Sequence, residues 1–235
     1  MRTFEELRKV LSQIENKICY RFKEKQLLIS AFVHRSFNNE NQECAVDNER
    51  LEFLGDAVLN LLVTLFLYEE LPKKSEGTLS YLRSLLVDTA ACARYVDMLG
   101  IGNFMLMGRG ESMHTHRGRV TILADLFEAV MGAIYLDGEI QAAHRFFFTH
   151  FKHTISEMVQ NPMRNWKDEL QDYCQKRYQK PPTYEVVNEQ GADHSKTFHM
   201  VVKLDEHILG EGRGTSKKEA GQMSARQAIQ ILERT

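Results

Sequence analysis

The sequence predicts an all-α domain of roughly 160 residues followed by a small α+β domain of α-β-β-β-α order. Three observations lead there. Apolar residues recur at three- and four-residue spacing through the first part of the chain, where Pro is nearly absent. A polar stretch containing Pro162, from Gln160 to Asn165, then breaks the pattern. Beyond it, TYEVVNEQ, KTFHMVVKL and HILGEGRGT read as three short strands between two helical stretches. The domains are therefore placed at 1–160 and 166–235, with a linker at 161–165.

In chain order, the spacing predicts helices over roughly 3–16, 24–36, 47–70, 75–98, 118–136 and 139–159, with no strand among them. The tail opens on a helix over about 164–178, which Pro181-Pro182 stops. Its last helix begins near Ser216 and runs to the C-terminus.

Of the 235 residues, 43% are hydrophobic, enough for a substantial core, and 26% are charged with a net charge of −2. That balance does not by itself point to a polyanion partner. Residues 1–163 carry 18 basic and 21 acidic side chains, and residues 164–235 carry 12 and 11, so the tail is the more basic part. No unbroken apolar run approaches the ~20 residues of a membrane span. The amphipathic N-terminus does not read as a signal peptide. Cys19, Cys44, Cys92 and Cys174 are scattered without a CxxC pair, as expected of reduced thiols in a cytoplasmic protein and not of a disulfide frame or zinc site.

The segment from Asp47 to Asn60 carries the chemistry. At about 100° per residue, Glu49, Glu52 and Asp56 share one stripe of a helix, with Leu51, Leu54, Val58, Leu61, Leu62 and Leu65 expected opposite, in the core. Asp125 and Glu128 repeat the spacing on a second helix. Acids at such spacing are usually only solvated. Here they come with two anomalies. Gly55 sits mid-helix, where it costs about 1 kcal/mol relative to Ala, so another backbone or a ligand is expected to need the space. Phe53 lies outside the apolar arc, beside the acids. If the two helices cross, four or five hard oxygen donors converge without His or Cys, a set suited to Mg²⁺ or Mn²⁺.

In the tail, Gln171 and Asp172 fall on the exposed side of the first helix. Gly191-Ala192-Asp193-His194 makes a turn between strands, and Ser216-Lys217-Lys218 opens the last helix. A lysine pair is most often solvated surface. At a helix N-terminus it also adds to the positive end of the dipole, which favours phosphate.

These segments resemble the bacterial ribonuclease III family. NERLEFLGDAVL (Asn48 to Leu59) is similar to its signature segment, and ILADLFEAVMGAIYLD (Ile122 to Asp137) to its second catalytic helix. LLISAFVHRSF, SEGTLSYLRSLLV and GRGESMHTHRGRVTILAD resemble further family segments. Val33 stands where Thr is usual, Asp47 where His is frequent, and Thr115-His116 where Gly-Gly is common. The Gln171, His194 and Ser216-Lys217-Lys218 pattern resembles the double-stranded-RNA-binding domain, which reads A-form shape over ~16 bp. Met223-Ser224-Ala225 departs from its usual small Ala residues, an expected packing variation.

The resemblance implies an all-α endonuclease domain followed by an α+β double-stranded-RNA-binding domain. It assigns Glu52, Asp125 and Glu128 as metal ligands, Asp56 with Glu128 as the catalytic pair, and Glu49 and Glu76 as accessory acids. Gln171, His194, Ser216, Lys217 and Lys218 become RNA contacts, and Phe53 a knob in a homodimer interface. The implied activity is Mg²⁺-dependent cleavage of double-stranded RNA, with Mn²⁺ able to substitute. It leaves 5′-phosphate and 3′-hydroxyl ends with short 3′ overhangs, and serves ribosomal and messenger RNA processing in the cytoplasm, without a membrane. Two rivals are a catalytically silent double-stranded-RNA-binding protein, disfavoured because all four key acids are present, and an all-helical hydrolase of small phosphoesters, disfavoured by the tail.

Overall fold

The computed structural model describes residues 3–40, 47–108, 116–160, 165–191 and 196–233. The chain forms two compact units, Met1–Asn161 and Pro162–Thr235.

Among its described residues the first unit is helical: α1 (Phe4–Ile18), α2 (Lys25–Ala31), α3 (Arg35–Glu40), α4 (Glu49–Glu70), α5 (Glu76–Leu86), α6 (Thr89–Leu99) and α7 (His116–Gln160), with a 3₁₀ turn at Gly102–Phe104. Side-chain caps set several boundaries. Thr3 accepts from the Glu6 amide at 3.2 Å to start α1. Ser75 accepts from Thr78 at 3.3 Å to start α5. The single helix expected over 75–98 is two, because Asp88 accepts from the Ala91 amide at 2.8 Å and restarts the helix as α6.

The helix expected over 24–36 also divides. Phe32, Val33 and His34 leave the helical path, and Val33 forms an isolated parallel bridge with Leu106 where no extended pairing was expected. His34 N donates to Leu106 O at 2.9 Å and Leu106 N to Phe32 O at 2.8 Å, tying the α2–α3 turn to the segment that leads toward α7. The helices expected at 118–136 and 139–159 are the two arms of α7, which meet at a kink of non-helical residues, Gly138 and Glu139, where Glu139 takes φ 60°. Just before the break, the Asp137 carboxylate accepts from the Tyr20 hydroxyl at 2.7 Å and from the amides of Glu24 at 2.8 Å and Lys23 at 3.1 Å.

The core lies between α4, α6 and α7, with Tyr95, Phe127, Phe147 and Phe151 fully buried. The buried face of α4 runs through Leu51, Gly55, Val58, Leu59, Leu62, Val63 and Leu67. This corrects the sequence reading, which put Leu61 and Leu65 in the core; they are 49% and 47% exposed. The buried arc is rotated toward Gly55 and Leu59, so the acids border the packed face and do not oppose it. By length and composition α4 could also cross a bilayer, contrary to expectation, with a mean hydropathy of 1.6 over an 18-residue window. Here it is a core helix, packed most extensively on α7.

The second unit comprises α8 (Trp166–Tyr178), β1 (Thr183–Gln190), β2 (Thr197–Leu204), β3 (His207–Gly214) and α9 (Lys217–Leu232). The strands form one antiparallel sheet in the order β1-β2-β3. Leu170 and Cys174 of α8, Val202 of β2 and Ala225, Ala228 and Ile229 of α9 make its core. α9 lies directly on β3. A Cβ at Gly210 would come within 2.6 Å of Ser224 O, and one at Gly214 within 2.7 Å of Ala220 N. Ser224, the expected packing variant, is buried and donates its hydroxyl to Gly221 O at 3.0 Å. Cys19, Cys92 and Cys174 are free thiols, and Cys44 lies outside the described residues.

Candidate functional site

The site is built where α4 crosses α7. A Cβ at Gly55 would lie 2.6 Å from the carbonyl carbon of Glu128 and 2.8 Å from Gly132 N, closer than real Cβ contacts allow. A Cβ at Gly132 would in turn lie 3.1 Å from Gly55 N. The two backbones therefore touch through paired glycines, which is the close approach that Gly55 suggested. Gly132, one turn beyond Glu128, is the reciprocal notch and carried no expectation. Glu52 and Asp56 flank the notch on α4, and Asp125 and Glu128 flank it on α7.

The electrostatics record this crowding. Burial first, then Asp56, Glu52 and Asp125, push Glu128 up to about 8. Burial, followed by Asp125, Glu49 and Asp56, pushes Glu52 up to about 7. Asp125 is raised by burial and by Glu49, with His34 opposing. Four carboxylates share a half-buried surface with too little positive charge to offset them.

Further side chains complete the site. Asn60 Nδ2 donates to Asp56 Oδ1 at 2.8 Å and fixes that carboxylate. Arg35 pairs with Glu49 at 2.7 Å. His34 Nδ1 and Ser36 Oγ are 2.7 Å apart, and Ser36 Oγ accepts from Gly108 N at 3.0 Å. Buried Cys92 points its thiol at Glu128 Oε1, 3.8 Å away. None of these had been given a role. Asn60 was legible as the residue one turn after Asp56, and His34 and Arg35 lay in a segment already singled out. Cys92 carried no local signal.

The structure thus brings Glu49, Glu52, Asp56, Asp125 and Glu128 together. Glu76 opens α5 and accepts from the Ser80 hydroxyl at 2.8 Å, and it is not among the charges acting on Glu52, Asp125 or Glu128. Among the described residues no three ligating side chains close on a single point. The donor set nevertheless fits a hard divalent cation: it is all carboxylate oxygen, and the mutual repulsion that adds to burial in raising Glu52 and Glu128 is what a cation would relieve. Thr115 lies outside the described residues, and His116 is the first residue of α7.

Phe53 is 83% exposed and begins an apolar stripe continued by Leu61, Leu65 and Tyr68. In the second unit, Gln171 is exposed on α8. Ser216 caps α9, accepting from Glu219 N at 3.1 Å, so its hydroxyl hydrogen stays available to donate. Lys217 and Lys218 are exposed in the first turn of α9. His194 lies outside the described residues.

A family model described as ribonuclease-III-like matches residues 24–155, and one described as a double-stranded RNA binding motif matches residues 166–232. Ribonuclease 3 of Protochlamydia amoebophila is 54% identical over 220 residues, covering 94% of this chain and 91% of its own length. Ribonuclease 3 of Caldanaerobacter subterraneus is 41% identical over 224 residues, covering 95% and 98%. The crystal structure of the ribonuclease III nuclease domain from Campylobacter jejuni is similar at a TM-score of 0.55 and 37% identity, over 61% of this chain and 95% of that domain. A second structure of that nuclease domain, described for flexibility in a region involved in dimer formation, gives 0.53 and 38%. Paired acids on two helices that touch through glycine, a helix-sheet tail with lysines at a helix start, and relatives matched along nearly their whole length agree: the chain belongs to the ribonuclease III family.

Proposed function

We propose that the chain cleaves double-stranded RNA at the carboxylate cluster, with Glu52, Asp125 and Glu128 holding Mg²⁺ and Asp56 paired to Glu128 at the reacting phosphate. The activity itself, endonucleolytic hydrolysis of double-stranded RNA by a metal-dependent enzyme, is that of the family. The observation that carries the residue assignment is the Gly55–Glu128 backbone contact, which holds the two acid-bearing helices against each other.

A bound divalent cation would supply a water of lowered pKa and a Lewis acid for the negative charge that builds on the phosphoryl and leaving oxygens. Mn²⁺ is expected to substitute for it. The protein supplies the rest. Asn60 holds the Asp56 carboxylate in one orientation. The packed face beneath Glu52 and Glu128 limits water and keeps their charges strongly coupled. Water adds to phosphorus, the bond to the 3′ oxygen breaks, and that oxygen leaves with a proton. The ends are then 5′-phosphate and 3′-hydroxyl. Glu49, held by Arg35, acts as an accessory acid at the rim, and Glu76 belongs with the RNA path on α5.

The exposed stripe from Phe53 to Tyr68 supports a homodimer, with Phe53 as the anchor. Two sites so paired would cut opposite strands at an offset and leave short 3′ overhangs. Residues 166–235 supply duplex affinity through Gln171, His194, Ser216, Lys217 and Lys218. The cellular role is processing of ribosomal and messenger RNA precursors in the cytoplasm.

The test is to incubate the full chain with long duplex RNA in Mg²⁺ or in EDTA and to analyse product ends. Cleavage only with metal, giving 5′-phosphate ends, is expected. Tight binding without cleavage in Mg²⁺ would instead identify a silent duplex-binding protein.

A further inference from the structure

The first lysine of α9, Lys217, is tied to a residue outside the RNA-contact set. Glu189, near the end of β1, meets two lysines at once: Oε2 lies 2.9 Å from Lys196 Nζ and Oε1 lies 3.1 Å from Lys217 Nζ. Lys196 directly precedes β2 and Lys217 opens α9, so one carboxylate joins three elements. The two ammonium groups also lie 5.9 Å and 5.6 Å from the ring centroid of Phe198 on β2, within cation–π reach.

Hydrogen bonds from Lys196 and then Lys217 hold the Glu189 carboxyl below the usual carboxylate range, so it remains charged. An exposed ion pair adds little to folding stability. An acid beside a polyanion site also repels the ligand. Glu189 is therefore poorly explained by fold stability or by direct attraction to RNA. What it does accomplish is geometric: it keeps two like charges together beside one aromatic ring. Each ammonium keeps further N–H donors after bonding Glu189. Their side chains stay 36% and 62% exposed.

We propose that Lys196 and Lys217 form a two-pronged contact to the phosphate backbone of duplex RNA, with Glu189 as its positioning residue and Phe198 as its floor. The proposal rests on the duplex-binding reading of residues 166–235. It adds Lys196 to the RNA-contact set and gives Glu189 a role that its charge alone would argue against.

The test titrates one duplex RNA with the full chain in EDTA at several salt concentrations. Lys196→Ala should shallow the log–log salt dependence by roughly one unit, as Lys217→Ala should, and the double variant by about two. Glu189→Gln should weaken binding roughly two- to fivefold, the range of exposed ion-pair couplings, with the slope kept because both lysines remain. Glu189→Asp should recover part of the loss. In the Lys196→Ala, Lys217→Ala background, Glu189→Gln should give no loss of binding, and at most the slight gain expected from removing its repulsion of RNA. A wild-type slope for Lys196→Ala overturns the contact. Tighter binding by Glu189→Gln, or a loss that persists in the double background, overturns the positioning role. Absence of duplex binding by the unmodified chain overturns the reading of the tail, and this proposal with it.

Discussion

Gly55 and Glu128 are in backbone contact: a Cβ at Gly55 would lie 2.6 Å from the carbonyl carbon of Glu128. The site therefore depends on the absence of a single methyl group. Gly55→Ala should destabilise the first unit by about 1–3 kcal/mol or more through overpacking, although Ala is the better helix former. Cleavage should fall further than stability, because separating α4 from α7 parts Glu52 and Asp56 from Asp125 and Glu128. Thermal unfolding and duplex cleavage of the variant check this; a melting temperature at or above wild type would show that the helices can part without strain.

Glu128→Gln should abolish cleavage while leaving duplex binding intact. The amide keeps the shape but removes the anionic oxygen, and Glu128 stands in both the proposed ligand set and the catalytic pair. The RNA contacts assigned to residues 166–235 are untouched. Cleavage in Mg²⁺ and binding in EDTA are the two measurements, and near-normal cleavage refutes the assignment.

Phe53→Ala should weaken self-association by about 2 kcal/mol or more, the size expected of a buried aromatic anchor. Its 83% exposure is a large apolar area that a partner would cover. Sedimentation over a micromolar concentration range reads the effect. A monomeric wild type removes the dimer altogether, and an unchanged dimer in the variant removes Phe53 from the interface.

Asp137 sets an acid limit on stability. Burial raises its carboxyl, but the Glu24 amide, the Tyr20 hydroxyl and the Lys23 amide outweigh that and hold it below its ordinary value. A depressed folded pKa contributes stability that is fully present above the unfolded value of about 3.9 and is lost as pH falls through the folded value. Asp137→Asn should therefore cost roughly 1–3 kcal/mol at neutral pH, the scale of hydrogen bonds to a charged acceptor. The deficit should shrink as pH drops below about 4. Denaturant melts of both proteins at neutral and acid pH decide it; a deficit independent of pH would assign the loss to packing.

Lys217→Ala with Lys218→Ala should weaken duplex binding with little change in sequence preference, because phosphate contacts position a protein without reading bases. The salt slope in EDTA should fall by roughly two units. At low salt and saturating enzyme in Mg²⁺ the variant should still cut. If it does not, the tail does more than bind.

Much of this was legible in the chain. The break between the units, the order α-β-β-β-α, the Gly138 interruption and the pairs Glu52/Asp56 and Asp125/Glu128 all follow from local spacing. Errors arose where a cap or a long-range partner decides. Asp88 divides the expected 75–98 helix by accepting the Ala91 amide. Val33 leaves the expected 24–36 helix to pair with Leu106, more than seventy positions away.

By itself the sequence determined which residues could share a helix face, because the turn per residue is a backbone constant. It also marked Gly55 as needing space, because nothing local rewards a glycine mid-helix. Only the tertiary structure decided which side of α4 is buried. Leucine has the same periodicity whether it faces a core or a second copy, so Leu61 and Leu65 could not be told from Leu62 by spacing. Likewise only the fold placed Cys92 at Glu128, Arg35 at Glu49 and Glu189 between Lys196 and Lys217. Each of these contacts joins separate elements, and its geometry exists only once apolar packing has brought those elements together.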